Sequence, residues 1–172
     1  MANTYTLIQS VTVGSGGAAN IEFGSIPQTY TDLKIVHSLR STRASAVGTL
    51  RLYLNGLSTN GSARVLYGET TGFGSFATAY LHAGYFNDAN ATANVFGSGE
   101  IYIPNYAGST NKSFSSDSVT ESNATTYQSG VQAFVAGLWS STAAITTITL
   151  ILQDGGNFAQ YSSASLYGIK NS

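Results

Sequence analysis

Between Thr49 and Leu54 the chain alternates residue by residue, with Leu50, Leu52 and Leu54 on one side and Thr49, Arg51 and Tyr53 on the other. A period of two is the spacing of a β-strand, whose successive side chains point to opposite faces, so this segment has one apolar and one polar face. The pattern recurs along the chain, and no stretch repeats apolar residues at helical spacing over the length of a helix. Strands are expected over Tyr5–Val13, Asn20–Phe23, Leu33–Arg40, Thr49–Leu54, Arg64–Tyr67, Thr78–Phe86, Phe96–Ile103, Lys112–Val119, Gly130–Trp139, Ile145–Leu152 and Gln160–Ile169. Turns are expected at Gly14–Gly17, Asn55–Gly56, Gly72–Ser75, Asn87–Asn94, Pro104–Thr110, Glu121–Thr126, Ser140–Ala144 and Asp154–Asn157, where Gly, Asn, Asp, Ser and Pro cluster. Gly130–Trp139 is apolar in both registers, as fits an inner strand or one packed against another subunit, and Trp139 reads as core.

Many short strands without crossover helices point to an all-β, antiparallel β-sandwich, with the jelly roll as the expected form. No repeat of twenty to fifty residues argues for a propeller or β-helix. The Ser/Thr/Gly bias runs evenly from end to end, so residues 1–172 read as a single jelly-roll domain.

Charge is the scarce commodity. Only 9% of the 172 residues are Asp, Glu, Lys or Arg, against about 25% in an ordinary soluble domain. Ser, Thr, Asn and Gly supply 74 positions, so the polar surface is made of neutral groups. A net charge of −1 argues against a nucleic-acid partner bound through its phosphates. With no cysteine, disulfides and thiolate metal sites are excluded. No membrane partner is expected either, since no apolar run approaches the roughly 18 residues of a membrane span. The opening Met1–Tyr5 has neither the basic stretch nor the apolar run of a signal peptide, so synthesis in the cytosol is expected. A surface so poor in charge suits a protein covered by partners better than a free monomer.

Enzyme signatures are thin, and neither a catalyst nor a cofactor nor a metal is expected. The two histidines, His37 and His82, form no ligand pair, and His37 falls on the apolar register of its strand, as a hydrogen-bonded core or interface histidine would. Nucleophile-elbow, phosphate-loop and dinucleotide fingerprints are absent. Of the eight acids, Glu100 and Asp117 lie on neighbouring expected strands and make the least implausible glycosidase pair. Asp154–Asn157 and Asn87–Asn90 offer oxygen ligands to calcium, but the same residues are what tight turns require.

Two clusters stand out as binding candidates. All four arginines, Arg40, Arg43, Arg51 and Arg64, fall within 25 consecutive positions. If the strands bearing Arg40 and Arg51 pair through the Arg43–Gly48 loop, they form a small basic patch able to grip an acidic partner surface or a neighbouring subunit. The aromatics Phe73, Phe76, Tyr80, Tyr85, Tyr102 and Tyr106 crowd the middle of the chain, where rigid rings with polar tips serve interfaces and sugar stacking alike.

Several segments carry a resemblance. The opening strand with GSGGAANIEFGSIPQTYTDLKI (Gly14–Ile35), IYIPNYAGSTNKSF (Ile101–Phe114), AGLWSSTAAIT (Ala136–Thr146) and YSSASLYGIKNS (Tyr161–Ser172) resembles small virion structural proteins of tailed bacteriophages of marine and cyanophage-like type. The similarity spans nearly the whole chain and is weakest over Gly61–Asn94. It implies a β-rich, often homotrimeric component of the particle exterior, assembled in the host cytoplasm, and it carries over no catalytic residue. The expected function is therefore a non-enzymatic virion structural protein. It would be a capsid decoration (cement) or head-fibre protein whose partners are itself and the major capsid protein or other virion proteins. The alternative is a receptor- or carbohydrate-binding module of a tail fibre, whose partner would be a host surface glycan.

Overall fold

A computed structural model describes residues 4–123 and 130–170, and within them every regular element is a strand. In chain order these are β1 (Tyr5–Thr12), β2 (Asn20–Phe23), β3 (Asp32–Leu39), β4 (Val47–Leu54), β5 (Gly61–Glu69), β6 (Gly72–Thr78), β7 (His82–Asn87), β8 (Gly97–Ile103), β9 (Lys112–Thr120), β10 (Val131–Trp139), β11 (Ile148–Leu152) and β12 (Ser163–Ile169). They form two antiparallel sheets: eight strands in the order β1-β12-β3-β8-β9-β10-β5-β6, and four in the order β2-β11-β4-β7. The protein is an all-β sandwich in which the smaller sheet covers one face of the larger.

The alternation seen in the sequence decides which face is covered. β10 buries Val131, Ala133, Val135 and Trp139 and turns Gln132, Phe134, Ala136 and Leu138 outward, a strict every-other-residue pattern. Leu50, Leu52 and Leu54 of β4 point from the opposite sheet into the same core, with Phe23, Ile148, Leu150 and Phe158. Trp139 is fully buried, as its sequence position indicated. Between the sheets, β7 lies against β8, β9 and β10. Its approach is so close that a Cβ on Gly84, whose φ is +113°, would lie 2.5 Å from Ser118 Oγ. Only glycine meets both demands there.

Most strands fall where alternation placed them, with three corrections. Gly72–Ser75, expected as a turn, is the start of β6, because its pairing with β5 satisfies the backbone of an otherwise glycine-rich stretch. Thr78–Phe86, expected as one strand, is broken. Thr78 Oγ1 donates to Tyr80 O at 2.7 Å and the amide of His82 donates to the same carbonyl at 3.0 Å, so the chain turns from the large sheet into β7. Ile145–Leu152 and Gln160–Ile169 are strands only from Ile148 and Ser163 onward. Asn55 Oδ1 takes the amides of Thr146 and Thr147 at 2.8 and 3.2 Å, and Tyr161 bends the chain at φ +72°. Of the turn expected at Glu121–Thr126, residues 124–126 lie outside the described residues.

Candidate interaction surfaces

The four arginines do not share a surface. The expected hairpin between the strands of Arg40 and Arg51 is not formed: β3 pairs with β12 and β8 in the large sheet, whereas β4 pairs with β11 and β7 in the small one. Arg40 folds inward and clasps the 89–95 loop, its guanidinium donating to the carbonyls of Ala89, Ala91, Thr92 and Val95 at 2.7–3.1 Å. Arg43 donates through Nε to Asp88 at 2.8 Å and through Nη2 to Val47 O at 2.7 Å, with Asp154 3.7 Å away. Arg51 packs over the Tyr80 ring at 4.4 Å and the Tyr53 ring at 5.5 Å, where the ring faces attract its charge. Arg64 is on the outer surface, where among the described residues it has only a 3.4 Å contact to its own neighbour's carbonyl, Ala63 O. The arginines are thus mainly internal fasteners, because a long forked donor in a chain rich in loop carbonyls finds acceptors within its own fold.

The aromatics also divide. Tyr106, expected at a binding surface, is fully buried, and its hydroxyl donates to Pro27 O. Tyr102 is partly exposed and tied down, donating to Asp32 Oδ2 at 2.7 Å, while Asp32 Oδ1 accepts the amide of Asn105 at 2.9 Å. Phe76, Tyr80 and Tyr85 gather around the buried His82 with ring centroids 5.1–6.1 Å from it, and Tyr67 joins Phe76 at 5.9 Å. Phe73 stands apart, 90% exposed on the edge strand β6.

His37 lies in the core, as its register indicated, but without the expected hydrogen bond: among the described residues neither ring nitrogen has a partner. The ring fits over Gly99 of β8, where an added Cβ would come within 2.8 Å of Cε1. Burial lowers its pKa to about 4, and does the same to His82, whose Nδ1 accepts the amide of Gly84 at 3.0 Å.

Glu100 and Asp117 do come opposite one another, as partners across β8 and β9. They stand on the open outer face of the large sheet. Glu100 is held by Lys34 at 2.7 Å, and Asp117 is raised above the usual carboxylate range by burial and then by the charge of Glu100. Of the loops weighed for calcium, Asp88 is fully buried with its oxygens taken by Ser41 Oγ and Arg43, and Gly155 and Gly156 hold a tight turn at φ +85° and +86°.

One uncovered apolar surface was only half visible in the sequence. On the outer face of the large sheet, Phe134 of β10 is opposite Leu66 of β5, and Phe73 of β6 is one row further along, opposite Gly68. Phe134 is 66% exposed and Leu66 53%, and with Phe73, Gly68 and Gln132 they line a shallow depression of about 560 Å³. At about 200 Å² for a whole phenylalanine, Phe73 and Phe134 alone expose roughly 300 Å², on the order of the largest apolar patch of a typical monomer. The doubly apolar register of β10 signalled Phe134 and Leu138. Leu66 and Val119 joined them only through strand pairing, which is non-local.

A second concavity lies on the inner side of the same strands, where β5 and β6 overhang β4 and β7. It measures about 380 Å³ and is lined by Arg43, Ser45, Val47, Thr49, Tyr67, Glu69, Phe76, Tyr85, Val131 and Asp154. No family model matches the chain, and no curated protein does so either.

Proposed function

We propose that the chain is a non-enzymatic structural protein of a bacteriophage virion, placed on the particle exterior as a capsid decoration (cement) or head-fibre protein and acting through protein–protein interfaces. The observation that carries this reading is the uncovered apolar face of Phe73, Leu66 and Phe134 beside an unguarded sheet edge. Edge strands of free monomers are commonly protected by charge or proline. β6 and β1, the two edges of the large sheet, contain neither. All seven pairings from β1 to β6 are antiparallel, so β1 and β6 run in opposite directions. A second copy laid alongside in the same sense continues the antiparallel alternation. Repeated head to tail, such a contact forms a ring where the rotation closes, which favours a homotrimer as one of the simplest assemblies.

The jelly-roll form is part of the same proposal. Strand order β2-β11-β4-β7 facing β3-β8-β5-β6 is that of two interlocked four-stranded sheets. The hairpin partners β9 and β10 are then inserted after β8, and β12 and β1 are added beside β3. A second reading, the receptor- or carbohydrate-binding module of a tail fibre, is favoured by the aromatic-walled concavity.

Immunogold labelling of intact virions tests the proposal. Label over the head is expected; label confined to the tail tip transfers the proposal to the second reading, and unlabelled particles refute both.

A further inference from the structure

We infer that the concavity between β5–β6 and β4–β7 is a binding site for a neutral pyranose sugar. The inference goes beyond assembly through the outer face and rests on the receptor reading only for its biological use.

The inner side of β6 makes the space. Its inward positions opposite Glu69 and Tyr67 are Gly72 and Gly74, so no side chain covers the end of β5. An added Cβ on Gly74 would lie 2.7 Å from the Tyr67 hydroxyl. The walls are aromatic: Tyr67, Phe76 and Tyr85 all line the site, with His82 behind them as the hub of the ring cluster. The rings pack on one another and leave little apolar surface open, so a sugar meets their edges and the Tyr67 and Tyr85 hydroxyls rather than a stacking face.

The polar groups answer the sugar's hydroxyls. Among the described residues the Glu69 carboxylate and the hydroxyls of Tyr67, Tyr85 and Thr49 have no hydrogen-bond partner, and Asp154 has only the 3.7 Å contact with Arg43. Burial pushes the Tyr85 hydroxyl up to about 12, so it keeps its proton and its donor capacity. Arg43 is preorganised from behind, its Nε on Asp88, which also accepts from Ser41, and its Nη2 on Val47 O. Two carboxylates in adjacent walls accept from vicinal hydroxyls, and a fixed guanidinium donates to ring or hydroxyl oxygens.

Charge selects among sugars. Glu69 and Asp154 face one arginine whose charge is already shared with buried Asp88, so an anionic sugar meets net repulsion and a neutral one does not. The volume is that of a small-ligand site and suits one or two sugar rings.

The test titrates the full chain with glucose, galactose, mannose, maltose, lactose and glucuronate, read by saturation-transfer NMR and tyrosine fluorescence. Saturable binding of at least one neutral sugar, with glucuronate weaker, is expected. The double variant Glu69→Gln/Asp154→Asn should weaken it about tenfold or more, the loss that follows removal of charge-assisted hydrogen bonds. Leu57→Ser, at an exposed turn beyond the far end of β4, should bind as the parent does. Absence of saturable binding by every neutral sugar, preference for glucuronate, or unchanged binding in a double variant that melts normally overturns the site. Sugar binding with gold label confined to the head keeps the site and removes only the tail-tip role.

Discussion

Replacing His37 by leucine is expected to remove a large part of the protein's sensitivity to acid. The imidazole is buried with both nitrogens unpartnered and titrates near 4 in the folded chain, against 6.5 when unfolded. The folded state therefore resists a proton that the unfolded state accepts, so the stability is fully present above pH 6.5 and is lost as pH falls towards 4. Linkage between those two values gives a loss of about 2.5 kcal/mol from this one residue between pH 7.5 and 4.5. That is a large share of a typical folding free energy of roughly 5–15 kcal/mol. Leucine has nearly the volume of histidine and no nitrogen to leave unsatisfied, so at pH 7.5 the variant should be the more stable by about 1–3 kcal/mol. His82 acts in the same direction and remains in the variant. Asp88 and Asp117, held high by burial, oppose it closer to pH 4, so the difference between the two proteins is the measurement that matters. Urea unfolding followed by the fluorescence of Trp139 at pH 7.5 and 4.5, at one fixed protein concentration, supplies it. An equal fall in stability for parent and His37→Leu would refute the assignment of the acid limb to this residue.

Three further outcomes are expected. Arg40→Lys should expose amides of the 89–95 loop to faster hydrogen exchange and cost about 2 kcal/mol, because an ammonium cannot reach the four carbonyls that the guanidinium fork serves. Light scattering should report a mass several times 17.9 kDa for the parent and a shift towards 17.9 kDa for Phe73→Ser/Phe134→Ser, with the melting temperature of the variant's fold little changed because both rings are exposed. Tyr106→Phe, which keeps the buried ring and loses only the bond to Pro27 O, should cost about 1 kcal/mol, and Tyr106→Ala about 3–5 kcal/mol in the same urea assay.

What was legible in the sequence follows the range of the forces involved. Alternation is local: Leu50, Leu52 and Leu54 point one way whatever lies opposite, so strand identity, the all-β class and the burial of Trp139 could be read from neighbours alone. The apolar second register of β10 likewise announced that Phe134 and Leu138 would need a reason to face outward.

Partner choice is where local reading ended. Arg40 and Arg51 alternate as a hairpin's polar face would, yet their strands went to different sheets, and Arg40 turned to the four carbonyls of a loop some fifty residues away. Gly72–Ser75 reads as a turn because glycine permits one, and became strand because β5 offered it a hydrogen-bonded edge. Tyr106 looks like a loop tyrosine until Pro27 supplies an acceptor inside the core. The sequence by itself determined which side of each strand is apolar and so which side turns inward, because the cost of exposing apolar surface to water acts at each residue. Only the tertiary structure decided which strands meet, because that depends on closing long loops and satisfying buried polar groups, and so only it placed Glu69, Tyr67 and Phe76 around one cleft with Arg43, Tyr85 and Asp154.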